Sequence, residues 1–568
     1  MPADRGDNVN NLLNQKLISA EIVDISWERV NLYIDIKINY GNGFDSTTPL
    51  LFYAIDESDS AKAKFEAERL SEKAYRLHLN ITNPGSNRCM PTGNYSILVL
   101  QGENILAPCL ISQEIISKIS DFSKSFLYEN NANVYKVDFH SDDTDTLSQR
   151  FVMSITDSGA QVKLPFKRRA KRGVIKAVYK LLLMIHSKSK NTVLFMSEQN
   201  KKIGGNLKAV SDRMIERKLD EKYTLLYSFR SSVDESQSLA SWFSLLNKLA
   251  KSTTLVMDDH APFMDLLVID KKTTVIQLWH AGAGFKSSGY SRWGKKGCPS
   301  PYSCHRQYTY GTAGSANIAH FFSEAWGINT EQVIPIGMPR MDLYLSADYM
   351  AKKETELLEK YPICKNKKVI LFAPTYRGKN KADAHYPYGL IDFKGLYDVC
   401  GDEYVVLFKM HPWAKAPVPI PQEYSDKFID AGSYSNINDL FYLTALLITD
   451  YSSNIFEYSL MRKPALFFAF DEKQYSSSRG FHRDYKLSAP GKVVKSFDEL
   501  LAAIKNKDFE QEKIDEYIDY HFDYIDCKSS DRVIDWLILG NLPESFKKAI
   551  DEKFSEVKHT LSLDFSLN

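Results

Sequence analysis

Hydrophobic and polar positions give the chain two textures. Over the first 150 residues the apolar positions alternate with polar ones in short runs: SAEIVDIS, VNLYIDIKI, LLFYAID, YRLHLNIT, NYSILVLQ, ILAPCLIS and VYKVDF. A period of two marks strands with one buried face, and Gly41, Asn42, Gly43, then Pro84, Gly85, then Pro91, Thr92, Gly93 supply turns between them. Short strands at this spacing predict an all-β, sandwich-like domain over 1–150. It could bind an acceptor or a partner, and it could equally be a stabilising or dimerising module, since a fold alone does not decide.

From about residue 191 the apolar runs become continuous, as in strands covered on both faces, and they alternate with helical segments. TVLFMS, YTLLYSF, TTLVMDD, VIQLWHA and VIPIG predict a first parallel sheet over 191–345; VILFAP, VVLFKM, LLITD and ALFFAF predict a second over 346–568. The expectation is α/β, two facing doubly wound Rossmann-like domains with a cleft between them. FDELLAAIKN, VIDWLILGN and ESFKKAIDEKF form a helical tail from about Ser496, placed to brace the two domains.

Between the two textures, 151–190 reads as a basic amphipathic linker. Ten Lys or Arg and no acidic residue lie between Lys163 and Lys190, beside Val174, Ile175, Val178, Leu181, Leu182 and Ile185 at helical spacing. Such a helix suits an anionic membrane surface. A linker helix docked on the next domain is the plainer alternative. Nucleic acid fits poorly, because the segment lacks aromatic stacking platforms.

The candidate chemistry sits at strand ends, where open α/β sheets bind ligands. LLITDYSSNIFEYSL passes from a buried strand through Asp450, Tyr451, Ser452 and Ser453 into a helix. An anion placed there gains amide and hydroxyl hydrogen bonds, although an ordinary N-cap explains the serines as well. Three further strands end on Trp279 and His280 followed by Gly282, Gly284, Lys286 and Gly289; on Thr375, Tyr376 and Arg377; and on Lys409, His411 and Pro412. One His after a strand is usually structural, but two His, two Lys, an Arg and a serine pair together describe a cleft for a di-anionic ligand.

On these residues the chain resembles the CDP-glycerol glycerophosphotransferase family, the enzymes of teichoic-acid-like poly(polyol phosphate) synthesis. The resemblance covers about 190–500 and runs, in order, through QLWHAGAGFK, IGMPRMD with Arg340, ILFAPTYRG, FKMHP, NINDLFYLTALLITDYSSNIFEYSL and KPALFFAFDEKQYSSSRGFHRDY. It implies a GT-B fold and transfer of glycerol phosphate, or ribitol phosphate, from a CDP-polyol to a hydroxyl of a lipid-linked or glycan acceptor, releasing CMP. Two departures stand out. Many members read Trp-His-Gly where this chain has Trp279, His280, Ala281. Some carry a His before the Asn-Asp-Leu segment, where AGSYSNINDL offers Ser433 and Tyr434, so a second acid or phosphate ligand is missing or replaced.

The expected chemistry is attack by an acceptor hydroxyl on the donor's β-phosphorus. His280 is the candidate general base, with glycines nearby to admit the acceptor. Arg377, Lys409, His411, Ser452 and Ser453 would stabilise charge on the diphosphate, with Gly282, Gly284, Lys286, Arg340 and Asp450 completing the substrate site. Glu457, one turn past Ser453, either accepts from the ribose hydroxyls or is a surface carboxylate. A GT-B glycosyltransferase using a nucleotide sugar, and a non-catalytic binding protein, are the rival readings.

Composition narrows the class. With 568 residues, 44% hydrophobic and 25% charged, the chain holds about three domains with full cores, and a net charge of +1 gives no general attraction to nucleic acid. Seven scattered cysteines suit reduced thiols in a cytoplasm. Cys298, Cys304 and His305 lie close in sequence but lack a second ligand pair, and Asp258 with Asp259 is the sole acidic rival for a metal, so no metal or cofactor is expected. The N-terminus shows no secretory h-region and no run reaches the roughly 20 apolar residues that cross a bilayer. The expected location is the inner face of the cell membrane, peripherally bound; a homo-oligomer stays open.

Overall fold

The computed structural model describes residues 18–560 apart from 42–43, 45–47, 59–60, 103, 143–148, 162–165, 187–190, 232–237, 283–284 and 379–380. In the N-terminal region eleven strands join one hydrogen-bonded sheet. Its main path runs Lys62–Lys64, Leu50–Asp56, Gly93–Gln101, Arg150–Asp157, Asn104–Ile111, Ile18–Glu28, Asn31–Tyr40, Ala74–Asn80, Glu66–Arg69. The first and last strands of that path are consecutive in the chain, separated only by buried Phe65. The Phe65 N–H donates to the Phe52 carbonyl at 2.9 Å, so the two ends of the path meet and the sheet curls round one core. Alternation does the sorting: Leu32, Ile34, Ile36 and Ile38 are fully buried while Asp35 and Lys37 between them are not.

The expected boundary at 150 cuts a strand. Arg150–Asp157 pairs with three neighbours and buries Phe151, Val152, Met153 and Ile155, so the module extends to 157. Next comes the basic helix Phe166–Ile185. Its apolar stripe is split: Tyr179 and Leu182 are buried and Ile175, Val178 and Leu183 pack beside them, whereas Val174, Leu181 and Ile185 stay exposed.

Two six-stranded parallel sheets follow. In the first, the order is Thr224–Phe229, Thr192–Ser197, Thr254–Met257, Thr274–Gln277, Tyr310–Ala313, Val333–Pro335. In the second, it is Phe428–Asp430, Tyr404–Phe408, Lys368–Phe372, Thr444–Thr449, Ala465–Phe468, Lys492–Val494. Their central strands are buried throughout, which is why they read as continuous apolar runs. Each sheet has one point where the strand order reverses. In the first it lies beside Asp258 and Asp259, in the second between Thr375 and Asp450.

The tail does not stay with the second sheet. Val533, Ile534 and Leu537 pack under the first, against Val193, Phe195, Val256, Ile276 and Ile334. Arg213 clamps Asp531 with two 2.9 Å bonds, and Asp342 accepts the amides of Ser529 and Ser530. An amphipathic helix goes where its stripe finds a partner, and that partner is about 340 residues back in the chain.

Candidate functional site

His280 follows the fourth strand of the first sheet. Gln277, wholly buried, accepts the Trp279 N–H at 2.9 Å, and Trp279 adopts a left-handed backbone (φ 53) that turns the chain sharply. The Nδ1–H of His280 donates to the Asp258 carbonyl at 2.8 Å, and its ring stacks on Trp279. A carbonyl only accepts, so the neutral ring carries its proton on Nδ1 and keeps the Nε2 lone pair. Solvent reaches the ring, yet it sits deep among protein atoms. That surrounding bulk lowers its pKa, and the nearby Arg340 charge lowers it further.

Arg340 ties the two halves together. Its guanidinium donates to the His280 carbonyl at 2.9 Å and pairs with Glu457, from the helix that follows strand Thr444–Thr449 of the second sheet. Asn206 holds both neighbours: its amide donates to the Trp279 carbonyl at 2.7 Å and its oxygen accepts the Arg340 N–H at 3.1 Å. Sequence reading missed Asn206, because a lone Asn in GGNLK carries no pattern. Glu457 is 2% exposed and engaged with Arg340, so it is not a surface carboxylate.

Asp258, also buried, has one carboxylate oxygen without a partner among the described residues. Burial and then the charge of Asp259 push its pKa up to about 7, while Asp259, bonded to Ser197 and the Glu198 amide, is raised to about 6.

Gly282 has a different task from the one expected. A Cβ there would lie 2.4 Å from the Phe456 ring, so the missing side chain lets this loop pack against the helix Ile455–Ser459. Gly284 lies outside the described residues. Lys286 joins a short antiparallel bridge with Phe481, in which Ser287 N–H donates to Gly480 at 3.1 Å and His482 N–H to Phe285 at 2.9 Å.

On the second sheet, Lys409 and His411 stand side by side. Lys409 is 5% exposed and donates to the Gly432 carbonyl at 3.0 Å; burial lowers its pKa. The His411 Nδ1 accepts the Trp413 N–H at 3.1 Å, which leaves its proton on Nε2. Burial, then Lys286 and Lys409, bring its pKa down to about 4, so His411 is a neutral donor at pH 7. Tyr376 and Trp413 flank it.

Arg377 is occupied. It donates to both oxygens of Asp471 (2.6 and 2.9 Å), to Asp450 (2.9 Å), and to the Thr375 carbonyl and hydroxyl (3.0 Å each), so most of its donors are engaged inside the protein. Asp450 also accepts the Thr375 amide at 2.8 Å. These two residues brace the strand ends from inside, with the Arg buried between two carboxylates. Ser452 and Ser453 precede a helix of five residues, Ile455–Ser459, too short for a developed dipole; the Ser452 hydroxyl accepts the Asn454 N–H at 3.3 Å.

The cysteine grouping also changes. Cys298 turns to the Leu127 carbonyl, and His305 bonds the Tyr308 hydroxyl. The side chains of His260, Asp265 and Cys304 gather instead within 4.8 Å. A cavity of about 810 Å³ lies elsewhere, between Arg29, His78, His320, Glu324 and His482.

Among curated proteins, the chain is 39% identical over 363 residues to the teichoic acid ribitol-phosphate polymerase TarL of Staphylococcus aureus, covering 64% of this chain and 65% of TarL. It is 34% identical over 489 residues to the teichoic acid poly(ribitol-phosphate) polymerase of Bacillus spizizenii, covering 82% and 77%. Among solved structures, the wall teichoic acid polymerase TagF superposes with a TM-score of 0.52 at 23% identity, over 68% of this chain and 97% of that one, a likeness of fold. Residues 178–539 match the family model of CDP-glycerol:poly(glycerophosphate) glycerophosphotransferases, and with most of the chain inside that match, the protein belongs to this family.

Proposed function

We propose that the protein transfers a polyol phosphate from a CDP-polyol to a hydroxyl of a teichoic-acid-like acceptor, releasing CMP. The observation that carries it is His280, with Nε2 unbonded among the described residues, after a strand of the first sheet; the reading sets it across a cleft from Lys409 and His411 of the second. The acceptor hydroxyl gives its proton to His280 Nε2 as its oxygen bonds to the donor's β-phosphorus. The P–O bond to CMP breaks in the same displacement, and its electrons go to the CMP phosphate. Lys409, the Nε2–H of His411 and the Ser452 and Ser453 groups offset the charge on the diphosphate. The fold assigned is GT-B, its two Rossmann-like halves facing each other behind the N-terminal β module, with domains changing near 157, 190 and 345.

The two curated relatives are named as ribitol-phosphate polymerases, which favours CDP-ribitol over CDP-glycerol as donor. CMP release from each donor, with a polyol phosphate acceptor, tests the reading. Release from neither would sink it, and release only from a nucleotide sugar would favour the glycosyltransferase. Replacing Ser452 and Ser453 together by Ala should weaken CDP binding.

The acceptor is placed at a membrane. No helix among the described residues is long and apolar enough to cross one. Instead Val174, Leu181, Met184 and Ile185 are exposed on the basic helix, beside Leu239 (88% exposed) and Phe243 on helix Leu239–Lys251, to which His186 is bonded through Asn247. Each Lys or Arg apposed to an anionic leaflet contributes about 1 kcal/mol. Binding to anionic vesicles should fall with salt and disappear when Arg169, Lys171 and Arg172 become Glu. Equal pelleting of that variant and the wild type would remove the membrane role.

A further inference from the structure

We propose that Ser287, Arg292, Lys295 and Arg479 form a subsite for a phosphodiester of the acceptor chain, separate from the donor diphosphate site; this rests on the activity proposed above. The segment carrying the first three is held in place by the N-terminal module. Trp293 is buried in that module's core against Phe126 and Tyr135, and Gly294, with φ 83, passes close to the Phe126 backbone. Arg479 comes from the opposite wall, at the end of the helix Glu472–Arg479.

Four cations meet there without a counter-ion. Among the described residues Lys286, Arg292, Lys295 and Arg479 make no ion pair. Arg479 donates from one Nη to the Tyr376 hydroxyl (3.1 Å) and the Gly378 carbonyl (3.3 Å), and its charge acts on Arg292. Folding like charges together costs energy that an anionic ligand recovers.

The second observation is a set of unmet hydrogen-bonding groups. Ser287 is 95% buried, and among the described residues neither its hydroxyl nor the buried Arg292 Nε–H has a partner. Both Ser287 Oγ (3.3 Å) and Lys295 Nζ (3.1 Å) border the space where a Gly480 side chain would stand. Such buried groups are normally satisfied, and a phosphate oxygen satisfies them. The donor's two phosphates already have Lys409, His411 and the serine pair. A poly(polyol phosphate) acceptor brings a further anion one polyol away from its attacking hydroxyl, and Lys286 bridges the two groups, its charge acting on His411.

The test is titration of the full chain with a synthetic trimer of ribitol phosphate, and separately with CDP. Lys295→Glu, on an exposed side chain, and Arg479→Gln should each weaken trimer binding roughly tenfold or more, while CDP binding stays within about twofold. Ser287→Ala should weaken the trimer less than either, and a neutral triol of the same length should bind wild type and variants alike. Unchanged trimer affinity in the variants overturns the subsite. So does a parallel loss of CDP binding, which would give these residues to the donor. A Lys295→Glu protein that loses binding to phosphatidylglycerol vesicles but keeps the trimer would assign them to lipid and likewise overturn it. Absence of CMP release by the wild type would count against the proposed activity and leave the trimer titration standing.

Discussion

The Nδ1–H of His280 donates to the main-chain carbonyl of Asp258 at 2.8 Å, and this bond decides which ring nitrogen is free for a hydroxyl proton. The tautomer is thus set by backbone, independently of Asp258's own ionisation.

His280→Ala should lower turnover by about two to four orders of magnitude with CDP affinity little changed. Because surrounding protein and Arg340 depress the His280 pKa, the ring is already neutral at pH 7. The rate should therefore hold down to about pH 6.5 and fall only as pH drops through a value below that. A turnover profile whose acid limb lies above 6.5, or an active Ala variant, would remove His280 as base.

Arg377→Ala should unfold the protein before it weakens a ligand. Asp450 and Asp471 would be left buried or half-buried without their cation, at a cost of about 3–5 kcal/mol. Thermal melting reads this; an unchanged melting temperature with lost CDP binding would return Arg377 to the substrate site.

Asp258 makes stability depend on pH in an uncommon direction. Its folded pKa, about 7, exceeds the unfolded value, so the folded state binds more protons between about pH 4 and 7 and stability falls as pH rises through that window. Asp258→Asn should gain melting temperature relative to wild type at pH 8 and show little gain at pH 4. A constant difference across that range would contradict the raised pKa.

Gly282→Ala should impair both stability and turnover, because its Cβ would enter the Phe456 ring. Phe456→Ala in the same chain should recover part of the loss. If the single variant behaves as wild type, or the second change adds its full cost, the two residues are not in contact.

The sequence by itself determined the strands, the order of the motifs and the presence of His280, Lys409 and His411 at strand ends, because burial on both faces and turn chemistry are local properties. It also carried the family resemblance. Tertiary structure decided what those groups touch. Arg377 and Glu457 read as substrate ligands, and the fold gives them Asp471 and Arg340, 94 and 117 positions away, as partners. Phe65 brings the first and last strands of one curled sheet together, and Val533 sends the tail back to the first parallel sheet. Asn206, Asp258 and Ser287 gained meaning only in space. A side chain's chemistry is legible in its letter, but its free donors and its charge state depend on neighbours that only the folded chain supplies.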